Sequence, residues 1–131
     1  MRLRHGRALR EEQVERRMEQ TTAAYGWACL AGSIAFEVVG SVALKAADGF
    51  TRPLPTVTVL VAFSLSFWLF SLALRALPLG IAYAVWSGTA TATIAIVGVV
   101  WLKDPLSALK VISIVMIVAG IIGLNISQGK A

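Results

Sequence analysis

The sequence predicts an all-α membrane protein, a bundle of four short transmembrane helices. Two observations predict the bundle. Hydrophobic residues make up 57% of the 131-residue chain and charged residues only 15%, against roughly 25% charged in soluble domains. The apolar residues also fall into four blocks of about 20, the length that a hydrocarbon core of ~30 Å requires at 1.5 Å per residue. A chain of this length is one domain's worth. A signal peptide would be a single block ahead of a polar chain, whereas these blocks continue to the far end. Transmembrane strands would alternate apolar and polar residues over about ten positions, and the blocks do not alternate.

In chain order, residues 1–22 come first and stand apart from the bundle, which takes residues 23–131. They hold Arg2, Arg4, Arg7, Arg10, Arg16 and Arg17 with Glu11, Glu12, Glu15 and Glu19, and no clear apolar stripe. The expectation is a basic, disordered, solvated tail. An anionic-lipid anchor is the functional alternative, at about 1 kcal/mol per basic residue near such a surface. A true start at Met18 is a third reading. No nucleic-acid motif accompanies the arginines, and much of the net charge of +5 is loop charge.

The spans are read as residues 25–46, 54–77, 80–102 and 106–126. Asp48-Gly49 and Arg52-Pro53 close the first, since Gly relieves a helix C-terminus and Pro cannot continue it. Pro78 and Gly80 make the second break. Lys103-Asp104-Pro105 makes the third, with Asp104 expected as N-cap and Pro105 in the first turn. Connections this short make successive helices antiparallel neighbours. Cys29, the only cysteine, lies inside the first span and is read as packing.

Of the seven acids, four lie in residues 1–22, Asp48 and Asp104 in loops, and Glu37 alone near mid-span. A charge at that depth costs a few kcal/mol and ordinarily faces a cavity or a partner. Lys45, Arg75 and Lys110 lie near span ends, where they snorkel to the surface. The alternatives are a protonated carboxyl hydrogen-bonded to a neighbouring helix and a carboxylate whose counter-ion is the substrate. Ser33, Gly40 and Ser41 share the Glu37 helix face at i−4, i+3 and i+4, and their small size leaves room beside it. Tyr83 and Trp86 share a face of the third span, with Ser87 beside them. Ser66 and Trp68 lie mid-way along the second. Tyr25, Trp27 and Trp101 fit an interfacial aromatic belt. A carboxylate with aromatic faces nearby suits an organic cation, through ion pairing and cation–π attraction; ordinary aromatic packing is the competing reading.

Four helices enclose too little volume for a transport path, and a dimer with two Glu37 residues around one site resolves this. Such carboxylates titrate as a coupled unit. A site that binds protons or a cation, but not both, exchanges one for the other.

Ala35-Phe-Glu-Val-Val-Gly-Ser, Leu44-Lys45, Gly49-Phe-Thr-Arg-Pro-Leu-Pro-Thr and Leu77-Pro-Leu-Gly-Ile-Ala-Tyr-Ala-Val-Trp-Ser-Gly88 together resemble the small multidrug resistance family over about residues 24–127. The resemblance implies a bacterial inner-membrane multidrug exporter: a proton-coupled antiporter, without cofactor, working as an antiparallel dimer in the lipid. It implies that Glu37 binds both proton and substrate. Tyr83, Trp86, Ser66 and Trp68 then match pocket residues, and the fourth helix carries the dimer contact from Ser113 to Gly120. Gly40 matches the polyspecific quaternary-ammonium exporters, where guanidinium exporters carry Trp. Trp27 and Phe63 stand where well-known members have Tyr, and Ala90 and Ser113 replace glycines. A guanidinium or polyamine exporter, the latter paired with a paralogue, is the alternative within the family. A non-transporting accessory subunit is the rival from another class. Enzyme chemistry has no support: Glu37 has no second acid at its depth, and His5 is the only histidine.

Without the tail, Arg75 and Lys130 lie on one side of the membrane and Lys45, Arg52, Lys103 and Lys110 on the other. So small a bias permits insertion both ways under the positive-inside rule. The six tail arginines reverse it and favour a cytoplasmic N-terminus.

Overall fold

A computed structural model describes residues 2–128; Lys130 and the rest of the C-terminal end lie outside the described residues. Its order is α1 (Arg2–Ala46), α2 (Pro53–Ala73), α3 (Leu79–Val100) and α4 (Ala108–Gln128). Each helix is long and apolar enough to cross a membrane. The four expected spans are therefore present, and no strand occurs among the described residues.

The N-terminal segment differs from the expected coil. α1 runs unbroken for 45 residues, or about 67 Å at 1.5 Å per residue, roughly twice a hydrocarbon core. Residues 4–22 are exposed throughout. Their helicity comes from local terms: good helix formers such as Arg, Glu, Gln and Leu, and an i, i+4 ion pair of Glu12 and Arg16 at 2.7 Å. A missing apolar stripe argues against burial, not against helix. Arg4, Arg7 and Arg10 lie roughly 18–27 Å beyond Thr22 along the axis, at 1.5 Å per residue. That exceeds the ~8 Å Debye length at physiological salt, whereas Arg16 and Arg17 lie roughly 8–9 Å from Thr22 by the same measure.

The extension bears on insertion. A chain starting at Met18 loses all six N-terminal arginines and is expected to insert in both orientations more evenly than the full-length chain. A compartment-sensitive reporter at the C-terminus of each form measures this. Equal ratios for the two forms would show that the extension does not steer insertion.

The first connection turns through three successive left-handed residues, Asp48, Gly49 and Phe50, at φ 49°, 66° and 65°. Thr51 Oγ1 donates to Asp48 O at 2.7 Å, and Pro53 opens α2, where no N–H is required. α2 ends at Ala73, short of the expected Leu77. The residue before Pro78 is driven out of the α region, and the chain tightens to i→i−3 bonds, Arg75 N to Leu72 O and Ala76 N to Ala73 O.

The third connection corrects the expected cap. Ser107, not Asp104, caps α4, accepting from Lys110 N at 3.2 Å. Lys103 takes φ 56°, which folds Asp104 back so that its N–H donates to Gly98 O at 2.9 Å. Asp104 thus closes the end of α3.

α1 packs against α2 and α3, and α4 against α3. The buried centre comprises Cys29, Leu30, Phe70, Ala73, Leu77, Ala82 and Trp86. Cys29 lies in this core as a free thiol. α4 meets α3 where Ile117 and Ile121 lie over Gly88: a Cβ there would stand 2.6 Å from Ile121 Cδ1. Toward the far end of α3 the two helices splay around an apolar cleft of about 250 Å³ beside Ile96, Val100 and Val115. Ser113 and Gly120 are exposed, with open space above Gly120.

Candidate functional site

Glu37 lies mid-way along the apolar part of α1 and faces a cavity of about 120 Å³ bounded by Trp86, Ser87, Ala90, Thr91 and Ile94 of α3. Its Oε2 is buried and has no hydrogen-bond partner. The only ion pair among the described residues is Glu12–Arg16, out on the extension. The carboxyl is therefore held against α3 without a basic partner in its own chain.

Trp86 forms the wall of the site and the centre of an aromatic cluster. It stacks on Phe70 with centroids 4.9 Å apart at 29°, and meets Tyr83 at 5.7 Å and Phe67 at 5.9 Å. Tyr83 also sets an edge against Phe70 at 6.3 Å. Tilted, offset and edge contacts such as these suit the ring quadrupole and fix the Trp86 plane. Trp86 is only 9% exposed, whereas Tyr83 is 54% exposed and leaves one side free.

The other residues singled out by sequence divide. Gly40 is buried under Phe63: a Cβ would lie 3.3 Å from three of its ring carbons. Those two residues thus make an α1–α2 contact one helical turn from Glu37. Ser33 and Ser66 are fully buried but engage each other, not the cavity. Ser33 Oγ donates to Ser66 O, and Ser66 Oγ donates to Ser33 O, both at 2.8 Å. Trp68 is 59% exposed because it lies two residues, about 200° of helix, from the inward-facing Ser66. Ser66 and Trp68 cannot face the same space within one chain. Ser41 is half-buried and Trp27 is exposed at 38%.

Sequence reasoning missed Phe67 and Phe70. Their i, i+3 spacing repeats that of Tyr83 and Trp86, and that repeat is the signal that could have found them. Thr91 and Ile94 were also missed. They follow Ser87 and Ala90 at helical spacing on the Glu37-facing side of α3.

The serine pair is expected to hold α1 to α2. Interhelical hydrogen bonds in membranes are worth about 0.6 kcal/mol on average and up to ~1.7, and Ser33→Ala and Ser66→Ala should each cost that much unfolding free energy in lipid. Two variants as stable as the wild type would sink this reading.

Four membrane-length helices, with one carboxylate in the apolar part of α1 that has no ion pair among the described residues, define a small multi-pass membrane protein. The sequence profile described as Small Multidrug Resistance protein matches residues 25–117. The chain is 39% identical over 100 residues to Multidrug resistance protein EbrA of Bacillus atrophaeus, covering 76% of this chain and 95% of the relative. It is 39% identical over 106 residues to Multidrug resistance protein EbrB of Bacillus licheniformis, covering 81% and 89%. Quaternary ammonium compound-resistance protein QacH of Staphylococcus saprophyticus is 39% identical over 93 residues, covering 71% and 87%. The chain belongs to the small multidrug resistance family and is a multi-pass bacterial membrane protein.

Proposed function

We propose that this protein is a proton-coupled antiporter that exports hydrophobic, quaternary-ammonium-type organic cations. The observation that carries the reading is Glu37, which lines a cavity beside Trp86 and has a buried carboxyl oxygen without a partner. An ionised carboxylate there is stabilised by a cation, and Trp86 and Tyr83 offer ring faces for cation–π attraction. When no cation is bound, a proton neutralises the charge. Mutually exclusive occupancy couples the two fluxes, because the site crosses the membrane loaded with one or the other. The relatives' names support the substrate class: two are multidrug resistance proteins and one is a quaternary ammonium compound-resistance protein.

The functional unit in this reading is an antiparallel homodimer with both Glu37 residues around one site. The shallow cavity, formed by α1 and α3 alone, supports it, as does the exposed apolar length of α4, including Val115, Met116 and Ile122. Purified protein in liposomes tests the whole reading. An inward-directed gradient of an aromatic quaternary cation should drive protons outward, and the reverse gradient should drive them inward. Cation flux without proton flux would reject antiport, and no flux from one chain alone would make a heterodimer with a paralogue the better description.

A further inference from the structure

On α4, Lys110, Ile114, Ile117 and Ile121 are half-buried at i, i+4, i+7 and i+11, the spacing of one helix face. Ile117 and Ile121 lie over Gly88 of α3, so Lys110 belongs to the α3-facing side, one turn before Ile114. Toward the far end of α3 this contact opens into the cleft of about 250 Å³. Ile96, Val99 and Val100 of α3 and Val111, Ile114 and Val115 of α4 border it, and every lining residue is apolar. At 3.6 residues per turn, Val111, Ile114 and Val115 centre about 160° around α4 from Ser113 and Gly120. A second copy seated on Ser113 and Gly120, the seam the family resemblance implies, therefore leaves the cleft uncovered.

The cleft adjoins the connection of residues 101–107, at the end of the two spans. Trp101 there is 79% exposed, as suits a ring at headgroup depth. Lys103 is exposed, and half-buried Lys110 follows in the first turn of α4. Neither has an ion pair among the described residues. Asp104, the one acid of this stretch, is folded onto Gly98, where a Cβ would stand 2.6 Å from its Oδ2. Unfilled, the cleft would forfeit dispersion contacts along both helices, and in a bilayer the nearest apolar filler is an acyl chain. Two lysines against one acid at its end favour a lipid with an anionic headgroup. We infer that the α3–α4 cleft binds one anionic phospholipid, with an acyl chain between the helices and the phosphate against Lys110 and Lys103. The inference is independent of which cation is exported.

Electron spin resonance of chain-labelled lipids tests it, with the full-length protein in phosphatidylcholine vesicles. Spin-labelled phosphatidylglycerol should be immobilised about fivefold or more in preference to spin-labelled phosphatidylcholine. Lys110→Gln should lower that preference about fivefold, the effect of one basic group near an anionic surface. Lys45→Gln, on the same side of the membrane but at the end of α1, should leave it unchanged. Ala95→Phe fills the cleft while keeping both lysines, and should release the lipid without changing the oligomeric state. No preference in the wild type, or an equal loss with Lys45→Gln, overturns the inference in favour of general surface attraction. Lipid retained by Ala95→Phe overturns it too, and a smaller oligomer with that variant would show that a second copy fills the cleft. If Ala95→Phe does not fold, the contrast between the two lysine variants decides alone.

Discussion

Glu37→Gln should abolish both cation export and proton release while leaving the protein folded. Gln keeps the shape of the side chain and its capacity for hydrogen bonds, but carries neither the charge that pairs with a cation nor an exchangeable proton. The fold has little reason to fail, because no basic partner in the described chain is abandoned: the one ion pair joins Glu12 and Arg16. Gln also matches the neutral, protonated carboxyl in size and polarity, so no new burial cost arises, and Glu37→Gln is expected to equal the wild type in thermal stability. Proteoliposome flux and a melting curve on the same preparation separate the two effects. Retained proton-coupled flux in the Gln variant would refute the assignment of Glu37.

Replacement of the Trp86 ring should have the next largest effect, and it should be selective. Trp86 contacts Phe67, Phe70 and Tyr83, so Trp86→Ala removes the ring proposed to meet the cation and also unlocks its neighbours. A desolvated cation–π contact is worth about 1–2 kcal/mol, so flat aromatic cations should weaken roughly 5- to 30-fold. Bare guanidinium has little apolar area to bury and should be the poorer substrate of the wild type. Competition between the two kinds of cation for binding measures both statements. Efficient guanidinium transport without aromatic-cation transport would replace this reading with that of a guanidinium exporter. Gly40 weighs against that outcome, because Phe63 already occupies the space a larger residue at position 40 would need.

The four spans and their turns were legible because bilayer thickness imposes a length on each apolar block. Glu37 was legible because charge inside such a block is costly and stands out. Which aromatic rings face inward was less legible. In a soluble helix the polar face marks the outside, but a helix surrounded by lipid is apolar on every side and carries no such mark. Spacing places Tyr83 and Trp86 on one face, as their contact shows, yet depth and the family resemblance single out Trp68, while Phe67 and Phe70 make the contacts to Trp86. The small size of Ser33 suggests space near Glu37, and the family resemblance puts Ser66 in the pocket, whereas their hydroxyls lock α1 to α2. The exposed helix at residues 4–22 escaped notice for the converse reason: with nothing to bury, it lacks periodicity, although its residues favour helix. The Ser107 cap was masked by Asp104-Pro105, which offered an equally good local signal three residues earlier.

The central claim is that protons and cations compete for Glu37, and proton release on cation binding tests it most directly. Purified wild-type protein in weakly buffered solution is mixed with a saturating aromatic quaternary cation, and the pH change is recorded across a series of starting pH values. Protons should be released wherever Glu37 is protonated before mixing. Release should disappear at alkaline pH, where the site is already empty of protons, and cation affinity should fall as the solution is made more acidic. Binding with no proton exchanged and an affinity independent of pH would contradict the account.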